Sequence, residues 1–170
     1  MKIEFVGLKK VVDNINKEIG KIEGRCLDGL ISAGLFIRGE SQKLTPVATG
    51  NLRNSAYVVS ELETHAGHTK VRLADPATHM AKVGASQAEC KAATIPTVIV
   101  GYTASYAIFV HENPRAGKTG GVSPSGILYK PNKGSKRIVF SSVGQWKFLE
   151  QAIMDNQRKI LAIIKAKAKK

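Results

Sequence analysis

Residues Leu8 to Lys43, LKKVVDNINKEIGKIEGRCLDGLISAGLFIRGESQK, set the architecture of this chain. The stretch contains no proline, and Leu8, Val12, Ile15, Ile19, Ile22, Cys26, Leu30, Ala33 and Ile37 recur at steps of three and four, the spacing of one helix face. A continuous helix over about 8–44 would be about 54 Å long at 1.5 Å per residue, far longer than the average globular helix. Gly20, Gly24, Gly29, Gly34 and Gly39 each cost about 1 kcal/mol relative to Ala inside a helix, so a kink or break is expected near Gly20 to Gly24. The two halves also differ in character. CLDGLISAGLFI is apolar on almost every face and belongs in a core, whereas VVDNINKEIGKIEG carries a narrower stripe flanked by charges. That stripe either packs back on the chain's own sheet or meets another subunit.

On the C-terminal side, Thr45-Pro46 stops the helix, because a residue before proline is pushed out of the α region and proline has no N–H to donate. PVATGNLRNS reads as a turn. Ala56 to Glu63 (AYVVSELE) and Thr69 to Leu73 (TKVRL) have the β-branched and aromatic residues of strands, with ETHAGH as a hairpin connection. About 74–96 reads as a loop insertion that includes a short helix over AKVGASQAECKAA, and Thr97 to Gly101 returns to strand character. Ser105 to His111 is open between strand and helix, with helix preferred. About 113–135, rich in Gly, Pro, Ser and Lys, is a long loop or extended hairpin, and KRIVFS (136–141) is a final strand. Ser142 to Gln145 fits a capping box that opens a C-terminal helix over about 143–168, with Trp146, Leu149, Ile153, Ile160 and Ile164 on one side. The expectation is one α+β domain over 1–170: a small, mainly antiparallel sheet over about 56–141, packed by the long N-terminal helix and the C-terminal helix.

Composition fits a globular domain, at 43% hydrophobic and 23% charged residues over 170 positions. No run reaches the roughly 18 to 20 apolar residues of a membrane span, and MKIEFVGLKK has no signal-peptide h-region, so a soluble protein made in a cytoplasm is expected. Cys26 and Cys90 make neither a disulfide framework nor a CxxC motif. The formal charge of +13 is concentrated beyond Lys130, a field that favours nucleic acid, acidic protein surfaces or anionic membranes without choosing among them. Lysines at the end of a helix also suit its dipole, so they have a local reason to be there.

Catalytic patterns are weak throughout. RAGKTGG has the GKT of a phosphate-binding loop, yet the glycine required five positions before Gly117 is Glu112. His65, His68, His79 and Cys90 offer one His-x-x-His spacing but no second tight pair, so they read first as surface histidines in loops and a thiol. Only Glu150 and Asp155 are acidic beyond Glu112, which leaves paired-carboxylate catalysis little to work with. Neither an enzyme nor a cofactor is expected. Arg115, Lys118, Lys130, Lys133, Lys136 and Arg137 lie in or beside the glycine-rich loop and are candidates to face DNA or a partner, in a sequence-independent, salt-sensitive way.

Three segments in order carry a resemblance. LTPVATGNLRNS supplies Pro46, Val47, Thr49, Gly50, Leu52, Arg53 and Ser55; VGYTASYAIFVHEN supplies Tyr106, Ala107, Val110 and Glu112; WKFLEQAIM supplies Phe148 and Leu149 ahead of a lysine-rich end. This order resembles the tail-component, or head–tail joining, family of tailed phages. After Glu112 the chain departs from the family's Phe-Gly-Thr, with Asn113-Pro114 instead. The resemblance implies a structural virion protein, a subunit of an often sixfold ring at the head–tail neck. It would complete the tail or join it to the head, between a connector or stopper and a tail tube or tail terminator, around the path of the DNA. The alternatives are a sequence-independent nucleic-acid-binding protein and a minor capsid-associated protein. Within the motif, Gly50 is expected to take a positive φ, Leu52 to enter the core, and Arg53 to hold a carboxylate such as Glu112.

Overall fold

The computed structural model describes residues 8–47, 50–66, 73, 75–114, 116 and 144–169. Helix α1 spans Leu8–Leu44 without interruption, so the break expected near Gly20 to Gly24 does not occur. Nothing lies within 4 Å of where a Cβ would sit on Gly20 or Gly24, and the neighbouring exposed pair Lys21 and Glu18 bonds at 2.6 Å along the helix. At Gly29 and Gly34, in the second half, glycine serves close approach instead. A Cβ on Gly34 would lie 2.9 Å from Val58 Cγ1, and one on Gly29 would lie 3.1 Å from the Ile164 carbonyl oxygen. Thr45 ends the helix, its hydroxyl donating to the Ser41 carbonyl at 2.8 Å, and buried Pro46 follows.

Gly50, at φ 81°, turns the chain into the single-turn helix α2 (Asn51–Asn54), whose Leu52 is buried. Strand β1 (Ala56–Ser60) pairs antiparallel with β2 (Thr64–Ala66) on one side and β3 (Val98–Tyr102) on the other, giving the order β2-β1-β3. Every residue of β1 is buried, as a strand covered on both faces must be. Val58, Val98 and Val100 meet α1 at Gly34. Tyr57 and Val59 point the other way, into a cluster with Val83 and Cys90, packed by Ile99 and Ala66. Val83 and Cys90 come from α3 (Pro76–Ala92), so the sheet lies between α1 and α3. The α+β class follows directly from this layering.

Helix α4 (Ala107–His111) follows β3, and α5 (Phe148–Ala168) lies mainly along α1. The two long helices run antiparallel: the Gln145 N–H donates to the Leu44 carbonyl at one end, and Ile164 packs on Gly29 at the other. About sixteen residues of α1 therefore extend past the end of α5, roughly 25 Å of helix at 1.5 Å per residue.

Three local expectations are corrected. The hairpin turns earlier than ETHAGH, because the Ser60 hydroxyl accepts the Glu63 N–H at 2.9 Å and the Ser60 N–H donates to the Glu63 carbonyl at 2.8 Å. Thr64–Ala66 is consequently strand, and most of the strand expected at 69–73 lies outside the described residues. The loop insertion expected over about 74–96 is instead the 17-residue helix α3. It starts at Pro76 because the Asp75 carboxylate accepts the Thr78 N–H at 3.0 Å. The capping box expected at Ser142 to Gln145 does not open α5, since the Gln145 N–H is bonded to Leu44 and the helix begins at Phe148 after Lys147 at φ 52°. Ser142 itself, residues 117–135 of the long loop and the strand at 136–141 lie outside the described residues.

Since Gly20 and Gly24 stand in open space, Gly20→Ala with Gly24→Ala should favour the helical state of the projecting part of α1 by about 1 kcal/mol per site. Circular dichroism should show more helix, with the melting temperature of the core unchanged.

Candidate assembly site

The three segments that carry the sequence motif converge at the C-terminal end of α1. Phe148 is fully buried, its ring edge-to-face with Tyr102 at 5.0 Å and with His111 at 4.9 Å. The Tyr102 hydroxyl lies 2.7 Å from Ser41 Oγ and 3.1 Å from Thr45 Oγ1, which fastens β3 to the last turn of α1. Burial raises the Tyr102 pKa above the ordinary phenol value, so the hydroxyl stays protonated and able to donate. At the same end of α1, Gly144 at φ 135° crosses Pro46 so closely that a Cβ would fall 2.5 Å from Pro46 Cα. The Lys147 N–H donates to the His111 carbonyl at 2.7 Å, tying the start of α5 to the end of α4.

The Pro46 segment also meets the Tyr106 segment directly. Asn51 Nδ2 donates to the Tyr106 hydroxyl at 3.1 Å, and the Thr103 N–H donates to the carbonyl of buried Ser55 at 3.1 Å. Between them lies a small cavity of about 120 Å³, lined by Asn51, Ser55, Asp75, Thr103 and Tyr106 among others. Ala107, Val110 and Leu149 are half-buried around this junction. The expected Arg53–Glu112 pair is not formed: Arg53 is exposed, and the Glu112 carboxylate lies 2.7 Å from His111 Nδ1 instead. Thr49 lies outside the described residues, as do Arg115, Lys118, Lys130, Lys133, Lys136 and Arg137.

His79 is buried rather than a surface histidine. It points from α3 to Thr103, Nδ1 to Oγ1 at 2.5 Å, while Nε2 has no partner. Burial pushes its pKa below the ordinary histidine value. The Asp75-Pro76 pair is the sequence signal that places His79 in the first turn of a packed helix. No group of three or more His, Cys, Asp or Glu able to hold a metal is found among the described residues, and no described helix is long and apolar enough to cross a membrane.

Among the described residues, apolar side chains also stand exposed in groups, two of which bear on assembly. One is the stripe of Val12, Ile15, Ile19 and Ile22 on the projecting part of α1, each side chain close to half exposed. The other lies at the opposite end of α1, where Ile108 and Phe109 of α4 and Trp146 stand out from the junction. Scattered exposed apolar residues are ordinary, whereas a row of four on one helix face is a contiguous apolar strip. No protein-family model, curated protein or solved structure matches the chain.

Two outcomes are expected. Phe148→Ala should remove about 3–5 kcal/mol of stability, read by denaturant unfolding, because the ring is fully buried and the emptied space is walled by side chains of two other elements, Tyr102 and His111. For His79, the unfolded chain binds a proton near pH 6.5 while the folded chain binds it only at lower pH, so stability falls as pH drops below about 6.5. The melting temperature should be flat above about pH 7 and decline through about pH 6 and 5. His79→Gln should flatten the part of that decline nearest neutral pH.

Proposed function

We propose that this chain is a structural assembly subunit of a tailed phage particle, a part of the head–tail neck that works by contact rather than by chemistry. The observation that supports this best is the uncovered apolar stripe on a helix extending about 25 Å beyond its own domain. A protein that acts alone gains nothing from such a stripe, whereas an assembly part needs it. The order of motif segments supports the neck specifically, and in the fold those segments build one packed junction. The exposed Ile108, Phe109 and Trp146 beside that junction offer a separate surface through which neighbours in a ring, often sixfold, would close on one another. Connector or stopper proteins on one side and tail tube or terminator proteins on the other are the expected neighbours.

A second reading, sequence-independent nucleic-acid binding, is favoured by one feature. Arg158, Lys159, Lys165, Lys167 and Lys169 of α5 and its C-cap are all exposed, with no ion pair among the described residues. In a neck these cations would lie near the path of the DNA; in a free binding protein they would be the binding surface.

Electron microscopy of lysates from a phage whose copy of this gene carries an early stop codon separates the readings. DNA-filled heads and finished tails, unjoined, are the expected result. Intact infectious particles would overturn the neck reading. A salt-dependent affinity of the isolated chain for any duplex would then make DNA binding the better account.

A further inference from the structure

The face of α1 that α5 covers and the face left bare are the same face. Along α1, positions 12, 15, 19, 22, 26, 29 and 33 step three, four, three, four, three, four, the 3.5-residue period that keeps one helix seam against another. At the covered end Gly29 lies under Ile164 and Ala33 is buried; at the bare end are Val12, Ile15, Ile19 and Ile22. Helix α5 stops at Ala168, close to the level of Arg25, and the seam continues for several more turns without it. A helix with apolar residues at the same period, as α5 has, would complete the remainder.

We propose that this occupant is the same stretch of a second copy of the chain, packed antiparallel about a twofold axis. In that register Val12 meets the partner's Ile22 and Ile15 meets the partner's Ile19, and the symmetry repeats both layers. Charges beside the seam agree. Lys9 falls next to the partner's Glu23, twice, and Val11 beside the stem of the partner's Arg25. The one like-charged contact is Glu18 with the partner's Glu18 at the axis, and each Glu18 already bonds its own Lys21 at 2.6 Å. A parallel pair would instead set Glu18 against the partner's Glu23 on both sides. Gly20 and Gly24 fall on the outer face, where the pairing leaves them open. The arm thus extends a seam the fold already contains, and its pairing does not depend on membership of a phage neck.

The test uses the full chain. Analytical ultracentrifugation at tens of micromolar should show dimers, or even-numbered assemblies of them. Ile19→Asp should weaken the association at least about tenfold while the melting temperature stays put, because residue 19 lies beyond the core. For orientation, Ile15→Cys and Ile19→Cys chains are made separately in a Cys26→Ser background, where Cys90 is too buried to exchange, then mixed and oxidised. Mixed disulfides between positions 15 and 19 should dominate, with each variant alone cross-linking slowly. Three results would overturn the proposal: a monomer at every concentration, an assembly unaffected by Ile19→Asp, or disulfides between identical positions, which mark a parallel pair. Should the stop-codon phage be intact while mixed disulfides form, the neck reading fails and the arm pairing stands.

Discussion

The packing of Phe148 between the rings of Tyr102 and His111 holds the remainder of the fold in place. Three stretches far apart in the chain meet there: the end of α1 through Ser41 and Thr45, the ends of β3 and α4, and the start of α5. Each stretch alone is a short, turn-forming segment with little reason to hold its position. A buried aromatic ring supplies that reason, since its removal leaves a hole no single element can fill. Gly144 passes so close to Pro46 that no side chain fits at position 144, which constrains the angle at which α5 sets off along α1. Where α5 begins and how far it runs then determine how much of α1 is left bare.

How much of this the sequence reveals depends on the range over which each signal acts. The extent of α1 is legible because its stripe is long, regular and closed by Thr45-Pro46. Strands β1 and β3 are legible from their β-branched residues: Val58, Val59, Val98 and Val100 leave few alternatives. The role of Tyr57 is not, because its ring lies against Gly101 on the neighbouring strand while its hydroxyl reaches Ser86 of α3 at 2.9 Å, and neither neighbour is near in sequence. The early hairpin turn is also hidden, since Glu61-Leu62 carries no glycine or asparagine signal and the Ser60 side chain closes the turn. Helix α3 exceeds expectation for a different reason. Its Asp75-Pro76 start is a helix signal and a turn signal at once, and only packing against the sheet decides between them.

The motif junction is legible as a set of positions but not as a geometry. Gly50 has the positive φ that its place in the turn requires, and Leu52 is buried, both consequences of local chemistry. The surroundings of Arg53 are not legible, because an ion pair depends on which side chains fold close by, and His111, adjacent in sequence to Glu112, takes that carboxylate. Buried His79 is similar: its neighbour Thr103 is distant in sequence and close only once α3 packs on the sheet beside the end of β3.

The contact between Gly29 and Ile164 joins residues from two ends of the fold, and it bears on how the chain folds as well as on what it looks like. Helix α1 is synthesised well before α5 and can form on the microsecond scale, yet the helix that covers its packed half arrives later. Until then the stretch of α1 around Gly29 lacks the helix that covers it, and closing so long a loop is entropically opposed. Chain order therefore leaves the seam of α1 uncovered along its whole length until α5 has been made and has packed on it.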